Sequence, residues 1–238
     1  FFSTNRKGAE MIKYASNAFL ATKISYINEI GNLCEKTGVN VEDVSIGMGL
    51  DKRIGGRFLR VGPAYGGSCF PKDTKAITVT GDLHKTNLSI IKSVIKSNEK
   101  RKKLLTERIK IILSNKIKGK KIAILGVTFK PNTDDMRQSS SLLMIPYLHK
   151  RGAKIKYYDP SGEKNNFKKF KNVTFCENVI EACKNVDLIV IHTEWDEFKS
   201  IDFRKLSIGR KFKIYDMRNL YSPEKMKKLG YSYYSIGR

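Results

Sequence analysis

From Arg6 to Lys36 the apolar residues recur with a helical period and no proline interrupts them. Gly38, a residue suited to a left-handed cap, closes the run. At 1.5 Å per residue these roughly 30 residues make a rod of about 45 Å, longer than a single small domain needs. Two apolar stripes are legible along it, Ile12-Phe19-Tyr26-Ile30-Leu33 and Leu20-Ile24-Ile27-Cys34. Together they predict burial over more than half the circumference, and therefore cover from a second layer or from another subunit. Asn40 reads as the N-cap of a short helix from Val41 to Met48. Helical patterns return after Asp73 as far as about Lys85, and again from Leu88 to Leu113. Leu88, Ile91, Val94, Ile95, Leu104, Leu105, Ile109, Ile112 and Leu113 mark the expected buried side of the latter. Residues 1–115 thus read as an all-helical domain, and Lys116 to Lys120 as a linker.

Beyond the linker the period changes. Short apolar runs at Lys121 to Gly126, Lys154 to Tyr158, Val173 to Cys176, Asp187 to His192, Lys213 to Asp216 and Ser232 to Ile236 alternate with helical patterns, notably Ser139 to Arg151, Glu177 to Asn185 and Ser222 to Leu229. Buried strands alternating with helices predict a Rossmann-like parallel sheet over residues 116–238, so the fold class is α followed by α/β. Ligands of such sheets sit at the carboxyl ends of the strands, where Gly126, Asp159, Thr193 and Asp216 to Arg218 fall. The first strand-to-helix connection, Gly126 to Ser139, lacks the G-x-G-x-x-G spacing that brings a pyrophosphate onto a helix N-terminus, and no such fingerprint occurs elsewhere in the chain.

Composition adds limits. A chain of 238 residues with 40% apolar content has room for two cores, and no apolar run approaches a membrane span. It opens Phe1-Phe2-Ser3-Thr4-Asn5, without a methionine or a signal-peptide pattern, so it is expected to be part of a longer, cytoplasmic polypeptide. Cys34, Cys69, Cys176 and Cys183 have no Cys-x-x-Cys spacing and His84, His149 and His192 are scattered, which indicates neither a metal site nor a disulfide framework. The formal charge of +23 raises nucleic acid as a partner. Yet the basic residues are spread over helices and loops, as in Lys100-Arg101-Lys102-Lys103 and Lys225 to Lys228, with no aromatic platform beside them. Solvated lysine-rich faces account for them better, and the positive field favours encounter with an anionic substrate.

The chemistry concentrates in Gly62-Pro63-Ala64-Tyr65-Gly66-Gly67-Ser68-Cys69-Phe70-Pro71-Lys72-Asp73. Glycines permit close backbone approach or positive φ, and Pro71 suits the first turn of a helix. A cysteine at a helix N-terminus beside a lysine is favoured as the thiolate, the nucleophilic form. Asp73, one turn on, is placed to act on a water that attacks whatever the sulfur holds. A buried structural cysteine in a glycine-rich turn is the plainer account. Lys13 and Asn17 lie four apart on one helical face and head an apolar line, where they need partners or water. Arg53, Arg57, Phe58 and Arg60 follow in a glycine-bearing loop. Taken by themselves, Lys130 and Arg137 are loop charges and Arg218 an ion-pair partner for Asp216.

The cysteine stretch, together with Ala9 to Ala21, Asp51-Lys52-Arg53-Ile54-Gly55 and Gly126-Val127-Thr128-Phe129-Lys130-Pro131-Asn132-Thr133-Asp134-Asp135, resembles in sequence and order the motifs of the UDP-glucose/GDP-mannose dehydrogenase family. The resemblance implies a central helical dimerisation domain over residues 1–115 and a UDP-binding domain over 116–238, with an NAD-binding domain expected upstream. It implies a homodimer formed through the long first helix, no nucleic acid or membrane partner, and NAD-dependent oxidation of UDP-glucose to UDP-glucuronate in two hydride-transfer steps. Cys69, Lys13, Asn17 and Asp73 match catalytic positions. Lys13, Asn17, Arg53, Phe58, Arg60, Tyr65, Gly66, Lys130 and Arg218 match substrate-binding ones, with Arg53 reaching the partner's site. Cys69, Lys72 and Arg137 match positions facing NAD. Two departures stand out. Ala64 replaces a usual glycine, which puts a positive φ there in doubt, and Gln138 replaces a usual glutamate, which weakens charge pairing. UDP-N-acetylmannosamine and GDP-mannose remain competing substrates, and a non-catalytic nucleotide-sugar-binding module or a basic nucleic-acid binder remain other classes.

Overall fold

The computed structural model describes residues 1–206 and 212–238. Helix α1 (Arg6–Thr37) opens where the Asn5 side chain accepts the Gly8 amide and ends at Gly38 in the left-handed conformation, as its sequence predicts. It buries Ala18, Ala21, Ser25, Ile27, Asn28, Gly31 and Cys34, while Ile12, Phe19, Tyr26 and Leu33 of the other stripe stay exposed. The expected burial of more than half the circumference is therefore not met within one chain, because the remaining helices cover α1 from one side only. Asn40 caps α2 (Val41–Leu50) through the Glu42 amide. Helix α3 (Cys69–Leu83) begins at Cys69 itself rather than after Asp73.

Helix α4 (Ser89–Ile112) corrects two expectations. Leu104 faces outward, while Asn98, Arg101, Lys102 and Thr106 occupy buried positions beside Val94, Leu105, Ile109 and Ile112. The run Lys100 to Lys103 is thus not a solvated face throughout. Arg101 finds its partner inside, the carbonyl of Gly62, and Lys102, itself buried, reaches the half-exposed Glu99.

The second half comprises β1 (Lys121–Leu125), α5 (Ser141–Lys150), β2 (Lys154–Tyr158), β3 (Val173–Phe175), α6 (Val179–Cys183), β4 (Leu188–Ile191), a 3₁₀ turn (Asp196–Ser200), α7 (Phe203–Leu206), β5 (Lys213–Asp216), α8 (Pro223–Lys228) and β6 (Ser232–Tyr234). The strands pair in parallel in the order β3-β2-β1-β4-β5-β6, with β1 and β4 adjacent at the point where the order reverses. This is the Rossmann-like sheet expected. Ile122, Ile124, Leu188 and Val190 point to one face and Ala123, Leu125, Ile189 and Ile191 to the other, so the central strands are buried on both sides. The first face belongs to a core that also holds Ile27, Val41, Leu105 and Ile109 from the helical half. The C-terminus completes the seam: Gly237 donates to Glu35 at 2.7 Å and accepts from the Val41 amide at 2.8 Å.

Fully buried Asp159, at the end of β2, accepts the amides of Val127 (2.6 Å) and Thr128 (3.1 Å). These are the N–H groups that face phosphate in a dinucleotide-binding sheet. A carboxylate fills their place here, in keeping with the missing glycine fingerprint.

Candidate active site

Cys69 is the first residue of α3 and is exposed, whereas Cys34, Cys176 and Cys183 are buried. Ser68 at the cap makes no side-chain capping bond, and its hydroxyl lies 3.7 Å from the Cys69 sulfur. Pro71 sits within that turn, where its missing N–H costs nothing. Two cations belong to the same region, Lys72 in the helix that Cys69 opens and Arg137, whose carbonyl accepts the Gly67 amide. Lys72 and Arg137 are held protonated above their ordinary ranges, first by hydrogen bonds to Asp73 and Asp135 respectively, with the charge of Cys69 adding to each.

The same helix turn carries Asp73 inward to full burial. Its Oδ2 accepts the Asn17 amide from α1 at 2.6 Å and its Oδ1 accepts the Lys72 ammonium, which also lies 5.7 Å from the centre of the Tyr14 ring. Burial works against ionised Asp73. The bonds from Lys72 and Asn17, with the charges of Lys72 and Lys13, outweigh burial and hold the carboxyl below its ordinary range. Lys13, Asn17, Lys72 and Asp73 thus form one cluster, with Lys13 exposed at its edge.

The glycine stretch is shaped by the second half of the chain. Gly67 has φ +78° and donates its amide to the Arg137 carbonyl at 2.7 Å, and a Cβ there would lie 2.7 Å from the Phe129 ring. A Cβ at Gly66 would meet Phe129 and the Gln138 carbonyl at 2.9 Å. Ala64 adopts φ +104°, so the positive φ doubted for an alanine is present, with the strain that an L side chain brings. The Gln138 amide oxygen lies 3.4 Å from the buried Lys102 ammonium, a neutral acceptor in place of a charged one.

Phe58 stands edge-on to Phe70 at 6.0 Å, and buried Tyr65 does the same from the other side at 6.1 Å. Arg60, Arg218 and Lys199 line a cleft of about 430 Å³ with Ser45 and Asn219. Arg218 does not pair with Asp216 through its guanidinium. It donates to the carbonyls of His192 (2.9 Å) and Phe129 (3.1 Å) and lies 3.8 Å from Glu194, while Asp216 accepts the amides of Arg218, Leu220 and Tyr221 and the Tyr233 hydroxyl. Lys130 is exposed, its ammonium 5.5 Å from the Phe129 ring. Arg53 folds back on Asp51 at 2.6 Å and is open to solvent, with no bond to the Cys69 cluster. Asn28, Asn98 and Arg101, which sequence inspection passed over, hold the backbone that leads into the cluster. Their signal was a polar residue set inside an apolar helical stripe.

Residues 7–100 match the model for the central domain of the UDP-glucose/GDP-mannose dehydrogenase family, and residues 123–223 match the model for that family's UDP binding domain. The chain belongs to this family. It is 46% identical to a UDP-glucose 6-dehydrogenase of Rickettsia prowazekii (strain Madrid E), covering 100% of this chain and 55% of that protein. Identity is 45% to one of Rhizobium meliloti (strain 1021), over 99% of this chain and 54% of that protein. Among solved structures, a UDP-glucose dehydrogenase from Pyrobaculum islandicum superposes with a TM-score of 0.82 at 33% identity, covering 96% of this chain and 50% of that one. An NDP-N-acetyl-D-galactosaminuronic acid dehydrogenase from Methanosarcina mazei Go1 gives 0.83 at 28%, covering 97% and 51%. The chain therefore spans about half the length of the curated relatives it matches.

Proposed function

We propose that this chain supplies the sugar-handling half of an NAD-dependent dehydrogenase that oxidises UDP-glucose to UDP-glucuronate. The observation that carries this reading is the exposed Cys69 at the start of α3, one helical turn from the Asn17–Asp73–Lys72 cluster. Cys69, Lys72 and Arg137 present a thiol and two cations in one region, which fits the edge of a dinucleotide. The sheet does not fit one, since Asp159 occupies the phosphate position after β1. When bound, NAD supplies the hydride acceptor for both oxidations.

The protein's own groups do the rest. Once the primary alcohol is an aldehyde, the Cys69 thiolate adds to its carbonyl carbon, forming a C–S bond and an oxyanion. Lys13 and Asn17 stabilise that oxyanion. After the second oxidation the sugar is held as a thioester. Water adds to it, the C–S bond breaks, and the carboxylate leaves with the thiolate restored and two protons released to solvent. Asp73, ionised and with both oxygens engaged, orients Asn17 and Lys72 at this step and favours the hydrolytic water through its charge. Arg60, Phe58, Tyr65, Gly66, Lys130 and Arg218 border the nucleotide and the sugar. Arg53, unattached to its own cluster, serves the site of a second copy. That copy docks on α1, where Ile12, Phe19, Tyr26 and Leu33 repeat every seventh residue and are exposed.

Among the described residues no helix is long and apolar enough to cross a membrane. A cytoplasmic place follows from the proposed substrate and cofactor and accords with four free thiols. Relatives at 46% and 45% identity favour glucose as the sugar. The full-length protein given NAD and UDP-glucose is expected to yield two reduced nicotinamides per sugar, and markedly less with UDP-N-acetylmannosamine or GDP-mannose. A preference for either of those would replace the substrate while leaving the chemistry.

A further inference from the structure

The backbone from Gly62 to Tyr65 is held by side chains that no step above uses. The Asn98 carboxamide makes two bonds to Tyr65, accepting its N–H at 2.9 Å and donating to its carbonyl at 3.0 Å. Arg101 Nε donates to the Gly62 carbonyl at 3.0 Å, and Asn28 Oδ1 accepts the Gly62 N–H at 2.9 Å. All three side chains are at least 95% buried: Asn28 is 3% exposed, Asn98 3% and Arg101 4%. Arg101 is in turn tied to α1 through the Asn28 carbonyl (3.3 Å) and Asn32 Oδ1 (2.5 Å). Two helices far apart in sequence therefore grip both ends of a four-residue arch.

Inside the arch lies Ala64 at φ +104°, a conformation that an L side chain leaves when free to do so. Immediately after it come Gly66 and Gly67, packed against Phe129 and the Gln138 carbonyl without room for a Cβ, and then Cys69. Once the grip on an end is lost, relaxation at Ala64 would be passed along the chain to the glycine pair that follows the arch, whose Gly67 amide is bonded to the Arg137 carbonyl. Arg137 is thereby tied to the residue two positions before Cys69.

We propose that Asn98 and Arg101, with Asn28, are positioning residues that hold the strained arch at Ala64 and so fix the Gly66–Gly67 seat that sets Cys69 against Arg137. The proposal rests on the catalytic role assigned to Cys69 for its kinetic consequence, but not for its structural one. A holding role differs from a purely stabilising one in a single respect. A glycine at position 64 removes the tendency to relax, and so should make the grip less necessary.

The test is a double-mutant cycle of Asn98→Ala and Ala64→Gly in the full-length protein, with Asn98→Ser, a smaller uncharged polar truncation, as the second variant should Asn98→Ala fail to fold. Amide exchange at Gly67 is read by mass spectrometry, and kcat and KM are read with NAD and UDP-glucose. Loss of the grip is expected to speed Gly67 exchange by roughly tenfold or more and to lower kcat by ten- to a hundredfold, as a displacement of about 1 Å does, with KM changed less than about threefold. Adding Ala64→Gly should recover most of both losses. Exchange and kcat within about twofold of the parent in the Asn98 variants, or no recovery with glycine at 64, would overturn the proposal. Should the parent show no turnover, the dehydrogenase reading fails, and the Gly67 exchange rates alone decide whether the arch is held.

Discussion

Single residues in this chain act through neighbours that lie far away in sequence. Cys69 was legible as a thiol near a helix start because the glycine stretch, the proline and the lysine are contiguous, although the helix begins at Cys69 itself rather than after Asp73. Asn98, Arg101 and Lys102 were not, because a basic run on a helix reads as solvent-facing until its partners are known. The partner of Arg101 is a carbonyl 39 positions away. Ala64 shows the reverse case: its type argued against a positive φ, and the tertiary grip imposes one. Gly at this position should therefore relieve strain. Replacing Ala64 with Gly is expected to raise stability by about 1 kcal/mol, the cost of holding an L residue at positive φ less the entropy glycine loses on folding. Urea unfolding would show it as a higher midpoint at unchanged slope, and a lower midpoint would mean that the alanine methyl is favourably packed.

At the scale of elements, the boundaries of α1, α2 and the strands follow from caps and period, since Asn5, Asn40 and Gly38 do locally what their types predict. What the pattern could not say is which stripe of α1 faces its own chain. Helices cover one side through Ala18, Ala21, Ile27, Gly31 and Cys34, while Ile12, Phe19, Tyr26 and Leu33 point out. Under the proposed function a second copy covers that exposed side. Phe19→Asp together with Tyr26→Asp should leave the fold intact, because both positions are exposed, yet shift the molecule to monomer at micromolar concentration in sedimentation. An unaltered sedimentation coefficient would place the second copy elsewhere. The short 3₁₀ turn and α7 escaped notice, being single turns whose apolar residues, Phe198 and Phe203, are too few to show a period.

For the molecule as a whole, the shared core and the C-terminal seam join the helical half to one face of the sheet, so the two halves should respond together to pH. His192, buried at the end of β4, bonds Ser140 through Nε2 at 2.7 Å and Thr193 through Nδ1 at 3.0 Å. Burial first, and then the charge of Arg218, pull its pKa from 6.5 down to about 3. The sign follows directly: below pH 6.5 the unfolded chain takes up a proton at this imidazole while the folded chain does not, so stability falls with pH until about pH 3. Denaturation midpoints measured across that window should fall less steeply for His192→Gln than for the parent. Parallel slopes would show that other groups carry the acid sensitivity.

The proposed reaction depends on one bond, between Cys69 sulfur and sugar carbon. Asp73→Asn keeps the thiol and the space around it but removes the charge that orders Asn17 and Lys72, so hydrolysis should slow more than adduct formation. Full-length Asp73→Asn protein quenched in acid during turnover of UDP-glucose, then digested, tests this by the mass of the peptide containing Gly66 to Lys72. The expected result is that peptide carrying the mass of the oxidised nucleotide sugar as a thioester on Cys69, and none in Cys69→Ser, whose acid production should fall by orders of magnitude. Full acid production by Cys69→Ser, or an adduct on Cys34, Cys176 or Cys183 instead, would contradict it.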